Sequence, residues 1–120
     1  MDTVKIYYNP SCSKSKATLK LLEENDINPD IVYYLETSPT PEELSEILEK
    51  LGMGIRDIIR SSEPEYRELK LDDESLSADI ILDKVCKHPV LIQRPIVTKG
   101  GRAILGRPPK NALMLLNDKE

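Results

Sequence analysis

The stretch Val4-Lys5-Ile6-Tyr7-Tyr8-Asn9-Pro10-Ser11-Cys12-Ser13-Lys14-Ser15 decides how the chain begins to fold. Val4 to Tyr8 is rich in β-branched and aromatic residues and reads as a short strand. Asn9-Pro10 is a turn signal that stops it. A helix is expected from about Cys12 to Asn25, with Ala17 and Leu21, and Thr18 and Leu22, spaced four apart on its buried side. Asn28-Pro29 breaks the chain, and Asp30 to Tyr34 reads as a second strand. Two strands joined through one helix form a β-α-β unit, parallel and right-handed.

Thr40-Pro41-Glu42-Glu43 opens a second helix, with Thr as N-cap, Pro at the first position and Glu at the third. Leu44, Ile47, Leu48 and Leu51 follow its apolar stripe, and Gly52 ends it. A short helix is expected over Ile55 to Arg60. Residues 61–75 read as polar and irregular. A further helix starts at Ser77 and ends by His88-Pro89. Ile96-Val97-Thr98 and Arg102 to Leu105, joined at Gly100-Gly101, read as a β-hairpin. Pro108-Pro109 leads into a last helix through Leu113 and Leu116. The order is β-α-β, a helical block, then β-β-α. This is the α/β, thioredoxin-like plan, read as one domain over residues 1–120 with a helical insertion at about 37–90.

The bulk numbers fit that reading. At 120 residues the chain has room for one domain. Its net charge of −4 gives no basic surface for nucleic acid. No apolar run reaches the roughly 18 residues of a membrane helix, and no secretory leader is visible, so a cytoplasmic protein is expected. Two cysteines and one histidine make neither a disulfide framework nor a zinc site.

The two cysteines differ. A thiol attacks only as thiolate, and an unperturbed cysteine is a few per cent ionised at pH 7. Cys12 stands at the expected start of a helix, where unpaired N–H groups and the positive dipole end favour an anion. Ser11, Ser13 and Ser15 are placed to donate hydrogen bonds, and Lys14 and Lys16 add positive charge. A buried structural cysteine is the alternative, but these polar neighbours argue against it. Cys86 lies on an apolar helix face beside Val85 and four residues after Leu82, which suits core packing. A resolving role would need the fold to carry it to Cys12. Ser15 stands three residues after Cys12, so no local disulfide forms and a redox cycle needs a second thiol from elsewhere.

Tyr7 to Ser15 resembles the active-site opening of the glutaredoxin-coupled arsenate reductases. The likeness continues through Tyr34-Leu35-Glu36-Thr37, Leu91-Ile92-Gln93-Arg94-Pro95-Ile96-Val97 and Gly106-Arg107-Pro108-Pro109, in order and spacing. The compact ending is similar to the short branch of that family. The resemblance implies that Cys12 attacks arsenate and that Arg60, Arg94 and Arg107 hold the oxyanion. It implies a cis peptide before Pro95. It also implies glutathione as co-substrate and glutaredoxin as electron donor, with no bound cofactor and no metal. A monomer is expected.

One departure stands out: the family often has His at the position of Tyr8, and Tyr8 supplies no cation at pH 7. The thiolate then depends on the helix terminus, the serines and the arginines. The arginines also make sense chemically. Guanidinium forks onto tetrahedral oxyanions, and it offsets the repulsion between a thiolate and an anionic substrate. An isolated arginine is as readily a solvated surface charge. Two other functions fit the same resemblance. One is a transcriptional regulator that binds the α-subunit of RNA polymerase. The other is a monothiol glutaredoxin-type oxidoreductase, for which Arg94 and Arg107 would be dispensable.

Overall fold

The structure is a computed structural model that describes residues 3–116. The chain divides into two compact units, one running to Tyr34 and resuming at Arg94, the other spanning Leu35–Gln93.

The first unit carries four strands, β1 (Val4–Tyr7), β2 (Asp30–Val32), β3 (Ile96–Lys99) and β4 (Arg102–Leu105), in the order β2-β1-β3-β4. β1 runs parallel to β2, with Ile6 opposite Ile31. It runs antiparallel to β3, with Ile6 opposite Val97. β3 and β4 form the hairpin, Lys99 facing Arg102 across a two-residue turn. Gly100 takes φ +60° there, a conformation that suits glycine. Helix α1 (Ser13–Glu24) links β1 to β2, and a short helix, α5 (Leu113–Leu116), closes the unit. This is the thioredoxin-like arrangement of mixed strands and helices.

Side chains alternate across a strand, so Val4 and Ile6 share one face. There they join Leu22, Val97, Ala112 and Leu115 in a buried cluster, with Tyr8 and Leu19 packed against it. The buried side of α1 is Ser15, Thr18 and Leu22, whereas Ala17 is exposed. Pairing Ala17 with Leu21 therefore put the helix face one position off. The buried residues follow i, i+3, i+7; Thr18 and Leu22 were placed correctly, and Ser15, a hydroxyl residue, is the one that a search for apolar spacing passes over.

The second unit contains α2 (Pro41–Leu51), α3 (Pro64–Glu68) and α4 (Ala78–Lys87). The Thr40 hydroxyl accepts from the Glu43 N–H, and Gly52 ends α2 in the left-handed region at φ +70°. The Ser77 hydroxyl caps α4 by accepting from the Ile80 N–H. Leu44, Ile47, Ile58, Leu71, Ile81, Val85 and Leu91 are buried. The short helix expected over Ile55 to Arg60 is a 3₁₀ helix that ends at Ile58, and one expectation changes: α3 interrupts the segment read as irregular. Five residues are too few to show an apolar period, and the start signals are only Pro64 at the first position and Glu65 in the first turn. None of the helices among the described residues is long and apolar enough to cross a membrane.

Candidate active site

Cys12 is the N-cap of α1, in extended backbone conformation. Its own N–H donates to the Asn9 carbonyl at 3.0 Å, and its carbonyl accepts from the Lys16 N–H at 3.1 Å. The loop before it is tied down by Asn9, which is buried. Asn9 Oδ1 accepts from the Ser11 N–H at 2.9 Å, and the Asn9 N–H donates to Ser15 Oγ at 3.3 Å. Ser15 is fully buried, so this hydroxyl is fixed between the loop and the helix.

Burial by itself would push the Cys12 thiol up. Four donors outweigh it: the Ser15 N–H, the Arg94 guanidinium, the Lys14 N–H and the Ser15 hydroxyl. Together they bring the thiol down to about 7. The first turn of α1 contains no acidic residue to oppose them. Ser11 and Ser13 are exposed, so the polarity of this opening is concentrated in Ser15.

Arg94 precedes β3, and its peptide bond to Pro95 is cis, as is Arg107–Pro108. Arg94 Nε and Nη1 are buried with no hydrogen-bond partner among the described residues. The ion pairs among those residues, Arg60–Glu63 and Lys87–Asp83, leave both Arg94 and Arg107 out. Arg107 Nη1 donates to the Arg94 carbonyl at 3.1 Å, so the two guanidinium-bearing segments are cross-linked. Asn111 Nδ2 in turn donates to the Arg107 carbonyl at 3.2 Å. Cys12, Ser15, Arg94 and Arg107 thus belong to one unit. Arg60 belongs to the other, where its guanidinium meets Glu63 and Gln93. Cys86 is buried in that same unit. Desolvation, then the charges of Asp83, Glu43 and Glu42, push its thiol up to about 11. No group of three or more His, Cys, Asp or Glu side chains able to hold a metal occurs among the described residues.

A family model described as the ArsC family matches residues 7–115. The chain belongs to that family. It is 45% identical over 114 residues to the uncharacterized protein YfgD of Escherichia coli K12, covering 94% of this chain and 96% of that one. It is also 45% identical over 112 residues to an arsenate reductase of Neisseria meningitidis serogroup A, covering 92% and 96%. The solved structure of an arsenate reductase from Vibrio cholerae aligns with a TM-score of 0.91 at 46% identity, covering 94% and 97%.

In this ArsC family chain, the residues to which the sequence reading gave no part in the site are Asn9, Gly106 and Asn111, while Thr18 was read only as a buried helix position. Asn9 had a visible signal, the Asn-Pro turn, read only as a strand stop. Gly106 had none. Its N–H donates to the Pro95 carbonyl at 2.8 Å, and its carbonyl accepts from Thr18 Oγ1 at 3.4 Å. A Cβ at this position would stand 2.7 Å from Thr18 Oγ1 and 2.8 Å from Pro95 Cγ. Glycine lets α1, the Pro95 segment and the end of β4 close up. Gly106→Ala is expected to destabilise the protein by about 1–3 kcal/mol through overpacking. Urea unfolding checks this: the midpoint falls with the slope unchanged, and an unchanged midpoint would mean the contact relaxes freely.

The thiol itself gives a second expectation. At pH 7 about half of Cys12 is thiolate, and the fraction rises with pH through its value of about 7. Cys86, at about 11, stays almost wholly protonated. Alkylation by iodoacetamide at pH 7 should therefore modify one thiol, with a rate that doubles between pH 7 and pH 9 and then levels. A rate that still rises about threefold or more between pH 8 and pH 9, as for an unperturbed thiol, would show that the donors do not stabilise the anion.

Proposed function

We propose that this chain reduces arsenate to arsenite through a covalent adduct at Cys12, with glutathione and glutaredoxin supplying the electrons. The observation that carries the reading is the Arg94 guanidinium. It lowers the Cys12 thiol, yet two of its nitrogens are buried with no hydrogen-bond partner among the described residues. Buried cationic donors without an acceptor are costly, and a tetrahedral oxyanion satisfies them while bringing its central atom to the sulfur.

In the first step the Cys12 thiolate displaces a hydroxyl from arsenate. An S–As bond forms, and the oxygen leaves as water after taking a proton. Arg94, Arg107 and Arg60 bind the oxyanion and offset the repulsion between the two anions. Ser15 and the N–H groups of Lys14 and Ser15 hold the sulfur as thiolate until attack. A glutathione thiolate then attacks the Cys12 sulfur. The S–S bond forms as the S–As bond breaks, and the bonding pair passes to arsenic, which leaves in the trivalent state. A glutaredoxin thiolate takes the glutathione sulfur and returns Cys12 as thiolate. Electrons come from thiols throughout, so no bound cofactor takes part. The chain would act as a cytoplasmic monomer.

The test is arsenate-dependent NADPH consumption coupled through glutathione, glutaredoxin and glutathione reductase. Turnover that requires all components supports the reading. Folded protein with a titratable Cys12 and no turnover above blank refutes it.

A further inference from the structure

The Arg60 guanidinium is gripped in a way that a solvated surface arginine is not. Arg60 Nε donates to Glu63 Oε2 at 3.3 Å, and Nη1 donates to Gln93 Oε1 at 3.4 Å. The Arg60 and Glu63 side chains are only 18% and 22% exposed. The backbone beneath is held as well. The Arg60 N–H donates to the Leu91 carbonyl at 2.7 Å, the Gln93 N–H donates to the Ile58 carbonyl at 2.8 Å, and Ile59 pairs with Ile92. The Glu63 N–H donates to the Arg60 carbonyl at 3.2 Å, which closes the turn that sets the two side chains face to face. Pro64, at the start of α3, holds Glu63 in extended backbone conformation.

We infer that Glu63, with Gln93, is a positioning residue: it holds the Arg60 guanidinium by Nε and Nη1 and leaves its Nη2 donors for an oxyanion. This rests on the proposed role of Arg60 in arsenate binding and adds what fixes it. An arginine side chain carries large rotamer entropy, and a ligand that must order it binds more weakly. Glu63 meets Nε at a single carboxylate oxygen, so it does not occupy the Nη2 end. The carboxylate oxygen, rather than its charge, is what the grip needs.

The experiment is protection of Cys12 from iodoacetamide by arsenate, titrated on the full chain without glutathione or glutaredoxin. Glu63→Ala should weaken the apparent arsenate affinity about fivefold, the effect of an unheld side chain. Glu63→Gln, whose amide oxygen still accepts from Nε, should stay within about twofold of wild type. Gln93→Leu, which keeps bulk and loses the acceptor for Nη1, should weaken affinity in the same sense, and it decides the matter if Glu63→Ala does not fold. Rescue by Gln is the signature that a purely electrostatic role would not give. Wild-type affinity in Glu63→Ala and Gln93→Leu, alongside weakened binding in Arg60→Ala, would overturn the inference alone. Wild-type affinity in Arg60→Ala would overturn it by removing Arg60 from the oxyanion site. Absence of any protection in wild type would instead refute arsenate binding at Cys12, and the inference with it.

Discussion

Cys12→Ser should reduce arsenate-dependent turnover to the uncatalysed background, a loss on the order of 10⁴-fold or more. The donors around position 12 bring a thiol to about 7, within reach of neutral pH. A serine hydroxyl ionises so much less readily that the same donors leave it protonated. The cycle also needs the atom at this position to enter a disulfide and leave it again, which oxygen does not do. The fold should be unaffected. Position 12 is a helix N-cap, and serine is among the preferred N-cap residues, so thermal stability should hold or rise. Loss of activity in a protein of undiminished melting temperature would therefore report chemistry alone. Turnover above about a tenth of wild type would move the nucleophile to Cys86, the one other cysteine in the chain.

Arg94→Ala should lower kcat/KM for arsenate by about 10²–10³-fold, the effect of removing one preorganised donor from a developing anion. Two contributions add. The oxyanion loses a buried guanidinium whose Nε and Nη1 have no other hydrogen-bond partner among the described residues. The Cys12 thiol also loses its side-chain donor, so its value rises from about 7 and the pH–rate profile moves to the alkaline side. Raising the pH should therefore restore part of the loss, but not the part that belongs to substrate binding. Arg94→Lys should recover the charge and little of the fork geometry, and so fall between the two. Stability separates this role from a structural one. At a pH where Cys12 is a neutral thiol, removing a desolvated cation whose Nε and Nη1 have no hydrogen-bond partner among the described residues does not weaken the folded state, so the melting temperature of Arg94→Ala measured near pH 5 should not fall. A fall of several degrees together with an unshifted pH profile would make Arg94 a packing residue instead.

Much of this site was legible because its signals are local. Cys12 at a strand-to-helix junction is a statement about twelve consecutive residues, and dipole and unpaired N–H groups act within one turn. Thr40 and Ser77 announced their helices for the same reason, each capping an N–H three residues on. Ser15 was visible as a polar neighbour of the cysteine. Its separate value from Ser11 and Ser13 was not, because helical phase decides which of three serines turns inward. Ala17 was misplaced by the same uncertainty, a shift of one position around α1. The hydroxyl face of Ser15 and Thr18 is buried only because Asn9 and Gly106 supply its hydrogen bonds.

The sequence by itself determined the order of the strands and of every helix but α3, the boundaries marked by caps and prolines, and the place of Cys12 at a strand-to-helix junction. These rest on periodicity, turn chemistry and helix-end electrostatics, which act over a few residues. Only the tertiary structure decided what surrounds that cysteine. It set Arg94 against the sulfur across more than 80 residues of chain, left that guanidinium with buried nitrogens, and fitted Gly106 where a Cβ would crowd Thr18 and Pro95. It also matched Arg60 to Glu63 and Gln93. Such relations depend on which backbones meet when apolar faces are buried, and no local pattern encodes that meeting.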